Sequence, residues 1–197
     1  MIKRIFDIFM VLIAVILLLP FFIIVSLAIV LDSKGGVFYK QERIGKNRKP
    51  FSLLKFRSMS IGADKKGLLT VGSNDIRVTR VGLFIRKYKI DELPQILNIL
   101  IGNMSFVGPR PEVQKYVDKY SVEQLKVLQV RPGLTDYASL EYFNENELLS
   151  ESQNPEETYI HEVMPAKLKL NFKYIENQSF FIDLKLIFRT IKRVLRS

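Results

Sequence analysis

The longest apolar run of the chain lies near its N-terminus, where residues 8–31 are uncharged and Ser26 is the one polar position. A helix of about 20 apolar residues crosses a bilayer, so this run is long enough to do so. It is too long for the apolar part of a removable signal peptide, and it lacks a small-residue cleavage site. We therefore predict a permanent membrane anchor over residues 1–33.

Pro20 lies near the middle of this run and predicts a break in the helix. A proline inside a helix cannot donate to the carbonyl four residues earlier, here that of Ile16, and its ring clashes with it. Lys3 and Arg4 precede the run, and further basic residues follow it between 34 and 49. Because positive residues are retained on the cytoplasmic side, these flanks favour a re-entrant helix-break-helix with both ends on one face. A single-pass helix kinked at the proline is the alternative.

Two short segments after the anchor predict a β-hairpin. Residues 37–44 and 50–56 have the composition of strands, and the polar residues 45–49 form the turn between them. The second strand presents Lys55 and Arg57 on one face, because side chains two residues apart on a strand point the same way. Two such cations suit a diphosphate, and arginine suits a bidentate contact. A solvated basic strand is the alternative.

Further along, the spacing of apolar residues predicts helices over residues 79–87 and 112–130. Residues 60–74 contain several glycines and predict a loop that is placed to move over a site. Residues 180–197 predict a basic amphipathic helix, which suits the headgroup region of a membrane. Packing of that helix on the protein core is the alternative.

The helix predicted over residues 92–101 has two carboxylates, Asp91 and Glu92, at its N-terminus, and Gly102 ends it. Pro94 is tolerated because it falls in the first turn. The free N–H groups and the dipole of a helix N-terminus keep a carboxylate ionised and also attract phosphate. An ionised carboxylate beside a phosphorus atom can act as a nucleophile. A capped helix with an acidic first turn is the alternative.

Two proline-containing turns supply further cations. Arg110 lies between Pro109 and Pro111, whose restricted backbone holds the guanidinium in place at a small entropic cost. Arg131 precedes Pro132 at the end of the helix predicted over residues 112–130. Arg110 is therefore a candidate for binding an anionic ligand, and a buried structural arginine is the alternative.

Composition narrows the possible classes of function. The 197 residues are enough for one domain with an anchor. Lys and Arg outnumber Asp and Glu by 30 to 20, and residues 132–166 contain acids without any Lys or Arg, so the remainder is strongly basic and suits an anionic partner. The chain has no cysteine and one histidine, His161, which excludes thiolate chemistry and histidine-rich metal sites. It has no hydrolase, P-loop or dinucleotide motif, and no DNA or RNA motif that would favour nucleic acid as the partner.

Six motifs in order resemble the bacterial sugar transferases of the monotopic phosphoglycosyl transferase family, over nearly the whole chain. They are Gln-Glu-Arg-Ile-Gly from residue 41, Lys-Phe-Arg-Ser-Met from 55, Asp-Ile-Arg-Val-Thr-Arg from 75, Asp-Glu-Leu-Pro-Gln from 91, Gly-Asn-Met-Ser-Phe-Val-Gly-Pro-Arg-Pro from 102 and Arg-Pro-Gly-Leu-Thr from 131. The chain departs from the family pattern at Leu19, where many members have Ser. It also has Asp-Tyr-Ala from residue 136, where small members have Gly-Trp-Ala. An acidic insertion over about 136–162 follows, which we expect to lie away from the membrane and to shape the donor pocket, or to be a solvated decoration.

The resemblance implies an α/β fold, namely a small mixed α/β catalytic domain over residues 34–197 at the cytoplasmic face of the bacterial inner membrane. It implies a monotopic enzyme that transfers a sugar phosphate from a nucleotide sugar, expected to be a UDP-sugar, to undecaprenyl phosphate. UMP would be released, and the step would begin a glycan assembly pathway. The partners are then the nucleotide sugar, the undecaprenyl phosphate and the phospholipid membrane. A non-catalytic membrane scaffold for glycan assembly is the alternative, and it predicts that Asp91→Asn leaves function intact.

The same resemblance assigns roles to individual residues. Asp91 is the expected nucleophile, which forms a covalent phosphosugar intermediate. Glu92 is a catalytic partner that binds metal or positions the lipid acceptor. A magnesium ion, Mg2+, is expected to bridge the diphosphate and the carboxylates of Asp91 and Glu92, offsetting charge during phosphoryl transfer. The expected phosphate-binding residues are Lys55, Arg57, Arg86, Arg110 and Arg131.

Overall fold

The chain begins with one long helix, α1 (Ile2–Asp32), in the computed structural model, which describes residues 2–63 and 75–196. Most of the predicted loop 60–74 therefore lies outside the described residues. α1 is continuous through Pro20, so the expected interruption of the helix at this residue is wrong. A helix in lipid tolerates a proline where small adjustments nearby satisfy the freed backbone group. Whether the chain re-enters one leaflet stays a prediction.

Both ends of α1 pack on the same domain, whereas its middle is exposed. Near the N-terminus Asp7 accepts hydrogen bonds from Ser105 Oγ at 3.1 Å and from the Phe106 N–H at 3.3 Å. Near the C-terminus Ile29 is buried, while Leu17 in the middle is 71% exposed. By length and composition α1 could cross a membrane, and only 11% of its most apolar window is buried in the protein. This distribution suits a helix whose middle faces lipid.

The predicted β-hairpin is confirmed. β1 (Phe38–Ile44) pairs antiparallel with β2 (Pro50–Phe56), with Phe38 opposite Phe56. A 3-10 turn, Lys46–Arg48, joins the strands, and Asn47 adopts a left-handed conformation there. Leu53 of β2 packs with residues of α1 and of the next helices in one buried cluster. The hairpin therefore fixes the position of the strand that carries Lys55.

The helix predicted over 79–87 is confirmed as α2 (Arg80–Lys87), and the next prediction is only partly correct. The single helix predicted over 92–101 is replaced by two elements. A 3-10 turn, Ile90–Glu92, comes first, and α3 (Gln95–Ile101) follows it. Pro94 has no N–H, and the Leu93 N–H instead donates to the Ile90 carbonyl at 3.1 Å, which closes the tighter turn. Gly102 ends α3, as the sequence predicted, and it does so in the left-handed conformation.

The single helix predicted over residues 112–130 is wrong. The segment instead contains α4 (Gln114–Val117) and a 3-10 helix, Gln124–Gln129. Glu112 forms an isolated β-bridge with Ile44 rather than starting a helix. Ser121 and Gln124 then exchange side-chain to backbone hydrogen bonds of 2.9 and 3.2 Å. This capping box starts a new helical turn and so divides the segment.

The remaining elements complete a mixed α/β fold, as predicted. β3 (Ser105–Val107) pairs in parallel with β4 (Gly133–Thr135), and the acidic insertion is helical. The C-terminal helix, predicted over about 180–197, is α9 (Phe180–Val194). One face of this helix is in the core and the other is exposed: Leu186 is fully buried, while Phe181 is 81% exposed. Core packing and an exposed apolar surface therefore both occur along this helix. The helices are α5 (Tyr137–Glu141), α6 (Glu145–Ser150), α7 (Pro155–Thr158), a π turn at Tyr159–Val163, α8 (Met164–Asn177) and α9 (Phe180–Val194).

The close approach of β3 and β4 gives a test of the fold. A methyl group added to Gly133 would collide with the backbone of Gly108, whose Cα would lie 2.7 Å away. We expect Gly133→Ala to lower the free energy of unfolding by about 1–3 kcal/mol because two backbones would have to separate. Gly36→Ala is the matched control, since an added methyl there meets no atom within 4 Å. Denaturant unfolding in detergent measures the two free energies. Equal stability of the two variants would contradict a close backbone contact between Gly133 and Gly108.

Candidate active site

A cavity of about 880 Å³ lies beside the turn that carries Asp91 and Glu92. The end of β2, the last turn of α2, the Pro-Arg-Pro turn and the helices α5, α6, α8 and α9 all contribute to its wall. The volume falls in the range of small-molecule sites. Of the predicted site residues, those that border it are Lys55, Arg57, Arg86, Asp91, Glu92 and Arg110.

Glu92 is the centre of a half-buried ion-pair network. Arg110 Nη1 donates to Glu92 Oε2 at 3.0 Å, and Arg110 Nη2 donates to the other carboxylate oxygen. Lys55 Nζ lies 3.5 Å from Glu92 Oε1. Although burial alone would raise it, the charges of Arg110 and Lys55 hold the pKa of Glu92 well below its usual range. Glu92 is therefore a fixed negative charge that orients two cations.

Asp91 lies next to this network but is not part of it. Its side chain is buried, with 5% of the residue exposed, and it accepts no hydrogen bond from any of the described residues. Burial raises the pKa of Asp91, and the charge of Glu92 raises it further, while Lys55 and Arg86 oppose the shift. The expectation that a helix N-terminus keeps Asp91 ionised is therefore not supported, because Asp91 lies in the 3-10 turn before α3. Its carboxylate is free for a ligand in the cavity.

Arg57 is in a different position from the one the strand pattern predicted. Its guanidinium donates to the carbonyls of Ser33 and Lys34, each at 2.6 Å, and to that of Ile29 at 3.3 Å. Ser33 and Lys34 directly follow the last residue of α1, and the Ile29 carbonyl also accepts from the Ser33 N–H at 3.2 Å. Arg57 therefore closes the end of the anchor helix, and its prediction as one half of a phosphate clamp with Lys55 needs this correction.

The two other predicted arginines differ from each other in their position relative to the cavity. Arg86, in the last turn of α2, borders the cavity and acts electrostatically on Asp91. Arg131 is exposed, and its Nε donates to the Gly102 carbonyl at 3.0 Å. It therefore caps the end of α3 and is absent from the cavity wall among the described residues. The structure brings Arg86 to the site and leaves Arg131 outside it.

The cavity wall also contains charged residues that the sequence did not single out. Glu112 accepts hydrogen bonds from Arg43, at 3.0 Å, and from the Tyr159 hydroxyl. Lys167 of α8 pairs with Glu145 of the acidic insertion at 2.7 Å. These pairs join residues far apart in the chain, so sequence spacing gave no signal for them. Part of the insertion does shape the cavity, and its bordering residues include Tyr142, Phe143, Glu145 and Asn146.

The carboxylates allow a test of whether a metal would fit. No cluster of three or more His, Cys, Asp or Glu suited to a metal occurs within residues 2–63 and 75–196. Both oxygens of Glu92 are bonded to Arg110, whereas the carboxylate of Asp91 has no such partner. Mg2+ is commonly held by one or two carboxylates together with substrate phosphates and water. Asp91 fits that requirement, and Glu92 fits it only if Arg110 releases it.

The family model for the bacterial sugar transferases matches residues 1–197. The chain therefore belongs to this family.

Similar proteins give the same result. The chain is 36% identical to the UDP-N-acetylgalactosamine-undecaprenyl-phosphate N-acetylgalactosaminephosphotransferase of Aeromonas hydrophila over 98% of its own length and 44% of that protein. It is 39% identical to the uncharacterized sugar transferase EpsL of Bacillus subtilis, over 99% of the chain and 88% of that protein. It is 36% identical to the UDP-glucose:undecaprenyl-phosphate glucose-1-phosphate transferase of Klebsiella pneumoniae, over 96% and 39%. The chain thus spans less than half of the Aeromonas and Klebsiella proteins.

The isolation of Asp91 predicts that the wild-type residue destabilises the fold. Its raised pKa means that the folded state binds the carboxyl proton more tightly than the unfolded state does, so stability is lost as pH rises through the folded-state pKa. We expect Asp91→Asn to raise the free energy of unfolding at pH 8 by about 1–3 kcal/mol, the scale of a buried group without a partner. Below about pH 3 the gain should disappear, because the wild-type carboxyl is then mostly protonated in both states. Denaturant unfolding at the two pH values measures this, and a loss of stability at pH 8 would contradict it.

Proposed function

We propose that the protein transfers a sugar phosphate from a UDP-sugar to undecaprenyl phosphate and releases UMP. The observation that carries the proposal is the buried carboxylate of Asp91, which has no hydrogen-bond partner among the described residues and borders a cavity with Lys55 and Arg86. The substrates are those in the names of similar proteins, two of which are UDP-sugar transferases that act on undecaprenyl phosphate.

In the first step an oxygen of Asp91 attacks the phosphorus that is linked to the sugar. The bond between this phosphorus and the bridging oxygen of the diphosphate breaks, UMP leaves, and an acyl phosphate that joins Asp91 to the phosphosugar remains. In the second step a phosphate oxygen of undecaprenyl phosphate attacks the same phosphorus. The bond to Asp91 breaks, which gives the undecaprenyl diphosphate sugar and restores the carboxylate.

The cations of the site make this approach possible. Two anions repel each other strongly in a cavity of low dielectric, so an anionic carboxylate reaches a phosphate only where positive charge surrounds both. Lys55 and Arg86 both act on Asp91 in this way. Glu92 holds Arg110 and Lys55 in place, so their positive charges are oriented before the substrate binds. Bound Mg2+ would be held by Asp91 and the diphosphate, and would supply additional neutralisation of charge.

We expect the reaction to take place at the membrane surface, where a soluble donor and a lipid acceptor meet. Both ends of α1 contact one domain, through Asp7 at one end and the capped carbonyl of Ser33 at the other. A straight helix that crossed the bilayer would place its ends about 30 Å apart on opposite sides. The contacts therefore support a re-entrant anchor, and the positive flanks support the cytoplasmic face of the inner membrane. A soluble nucleotide sugar and a lipid acceptor both reach such a boundary.

The reaction is tested by UMP release in detergent with Mg2+, undecaprenyl phosphate and a panel of UDP-sugars. We expect one or two donors to react, and we expect Asp91→Asn to lower the rate by at least about 10³-fold because the covalent route is closed. Asp118→Asn is the matched control, since Asp118 is an exposed carboxylate bonded to Gln114. A variant that retains full activity would remove Asp91 as the nucleophile and favour a different mechanism or the scaffold function.

The topology has a separate test, because the chain lacks cysteine and single cysteines can be introduced. Ile2 is 77% exposed before the apolar run, and Lys40 is exposed after it. We expect Ile2→Cys and Lys40→Cys both to react with a membrane-impermeant maleimide in inside-out vesicles and both to be protected in right-side-out vesicles. Labelling of the two positions from opposite sides would establish a single-pass helix instead.

A further inference from the structure

The backbone immediately before Asp91 adopts an unusual conformation. Lys89 has a φ of 54° and a ψ of 20°, in the left-handed region that residues with a side chain rarely occupy. Within the described residues, the other non-glycine positions with positive φ lie in the hairpin turn, at Asn47 and Arg48. The Lys89 N–H donates to the Arg86 carbonyl at 3.1 Å, and its own carbonyl accepts from the Glu92 N–H at 3.2 Å. The conformation of Lys89 therefore sets the direction of the turn that carries Asp91.

The side chain of Lys89 has a specific partner in the acidic insertion. Its Nζ lies over the ring of Phe143, 5.0 Å from the centroid. The guanidinium carbon of Arg193, in the last turn of α9, lies over the same ring at 5.1 Å. The electron-rich face of an aromatic ring attracts a cation, and both distances are within the range of this interaction. One ring therefore holds two cations that would otherwise repel each other.

We propose that Phe143 is a positioning residue, whose ring fixes the left-handed turn at Lys89 and thereby the placement of Asp91 against the substrate. Strained backbone conformations persist only where the surroundings determine them. Phe143 contacts Lys89 from a segment more than fifty residues away along the chain, and this contact stabilises the strained conformation. Arg193 extends the same contact to α9, so three separate parts of the chain meet at one ring.

The test replaces the ring but keeps apolar bulk. We expect Phe143→Leu to lower kcat for UMP release about tenfold while the KM for the donor changes less than about twofold, because the nucleophile is misplaced and the binding residues are intact. Phe143→Trp should restore kcat, since indole binds cations best among the aromatic rings. Phe172→Leu is the matched control: Phe172 is partly buried in the core, and no cation lies over its ring among the described residues.

A double variant separates the proposed contact from a general loss of packing. If Phe143 acts through Lys89, then Phe143→Leu with Lys89→Met should be no slower than the slower of the two single variants. If the fold-losses in kcat of the two single variants multiply in the double variant, the proposal is overturned. An effect of Phe143→Leu that falls on KM alone would overturn it as well.

The kinetic readout rests on the proposed function, so a second readout is independent of it. Hydrogen exchange at the amides of Glu92 and Leu93, which close the turn, should be about tenfold faster in Phe143→Leu and unchanged in Phe172→Leu. Faster exchange in a protein that releases no UMP would contradict the proposed function and leave the positioning role of Phe143 supported. Unchanged exchange would overturn the positioning role even where UMP release is confirmed.

Discussion

The bidentate contact between Glu92 and Arg110 is the interaction on which the site depends. Adjacent carboxylates in a buried turn would normally raise each other's pKa, and both would tend to be neutral. Arg110 removes this symmetry because it pairs with Glu92 through two hydrogen bonds and leaves Asp91 without a partner among the residues that the structure describes. One carboxylate thus becomes a structural anion, and its neighbour is left available for chemistry. The Pro-Arg-Pro turn matters because it holds the arginine that makes this division.

A second requirement is that a helix rich in apolar residues must still be attached to a polar domain. The attachments occur at its two ends, and each uses a charged group. Lys3 pairs with Asp183 of α9, which also accepts a hydrogen bond from the Tyr174 hydroxyl at 2.6 Å. Arg57 closes the other end by binding the carbonyls of Ser33 and Lys34, directly after the helix. Buried charges of this kind are stable only as complete networks, so the anchor and the domain must fold together.

Sequence patterns predicted the elements whose signals are local. The hairpin, α2 and the amphipathic α9 each follow from periodicity and turn residues within a single segment. The helix over residues 112–130 failed because a capping box at Ser121 interrupts it, and because Glu112 pairs with a strand that is distant in the chain. The positions of Asp91, Glu92, Lys55 and Arg110 around one cavity agree with the sequence prediction. Arg57 and Arg131 differ from it because both bind backbone carbonyls of other elements, and no spacing in the sequence reveals such a partner.

The two faces of α9 have a consequence for how the chain can vary. Leu186 must face the core while Phe181 faces outward, and successive residues of a helix are rotated by about 100° about its axis. The connection between α8 and α9 is only two residues long, Gln178 and Ser179. Adding or removing one residue there would turn the buried face outward and would carry Arg193 away from Phe143. The length of this connection is therefore under tighter constraint than the identity of its residues.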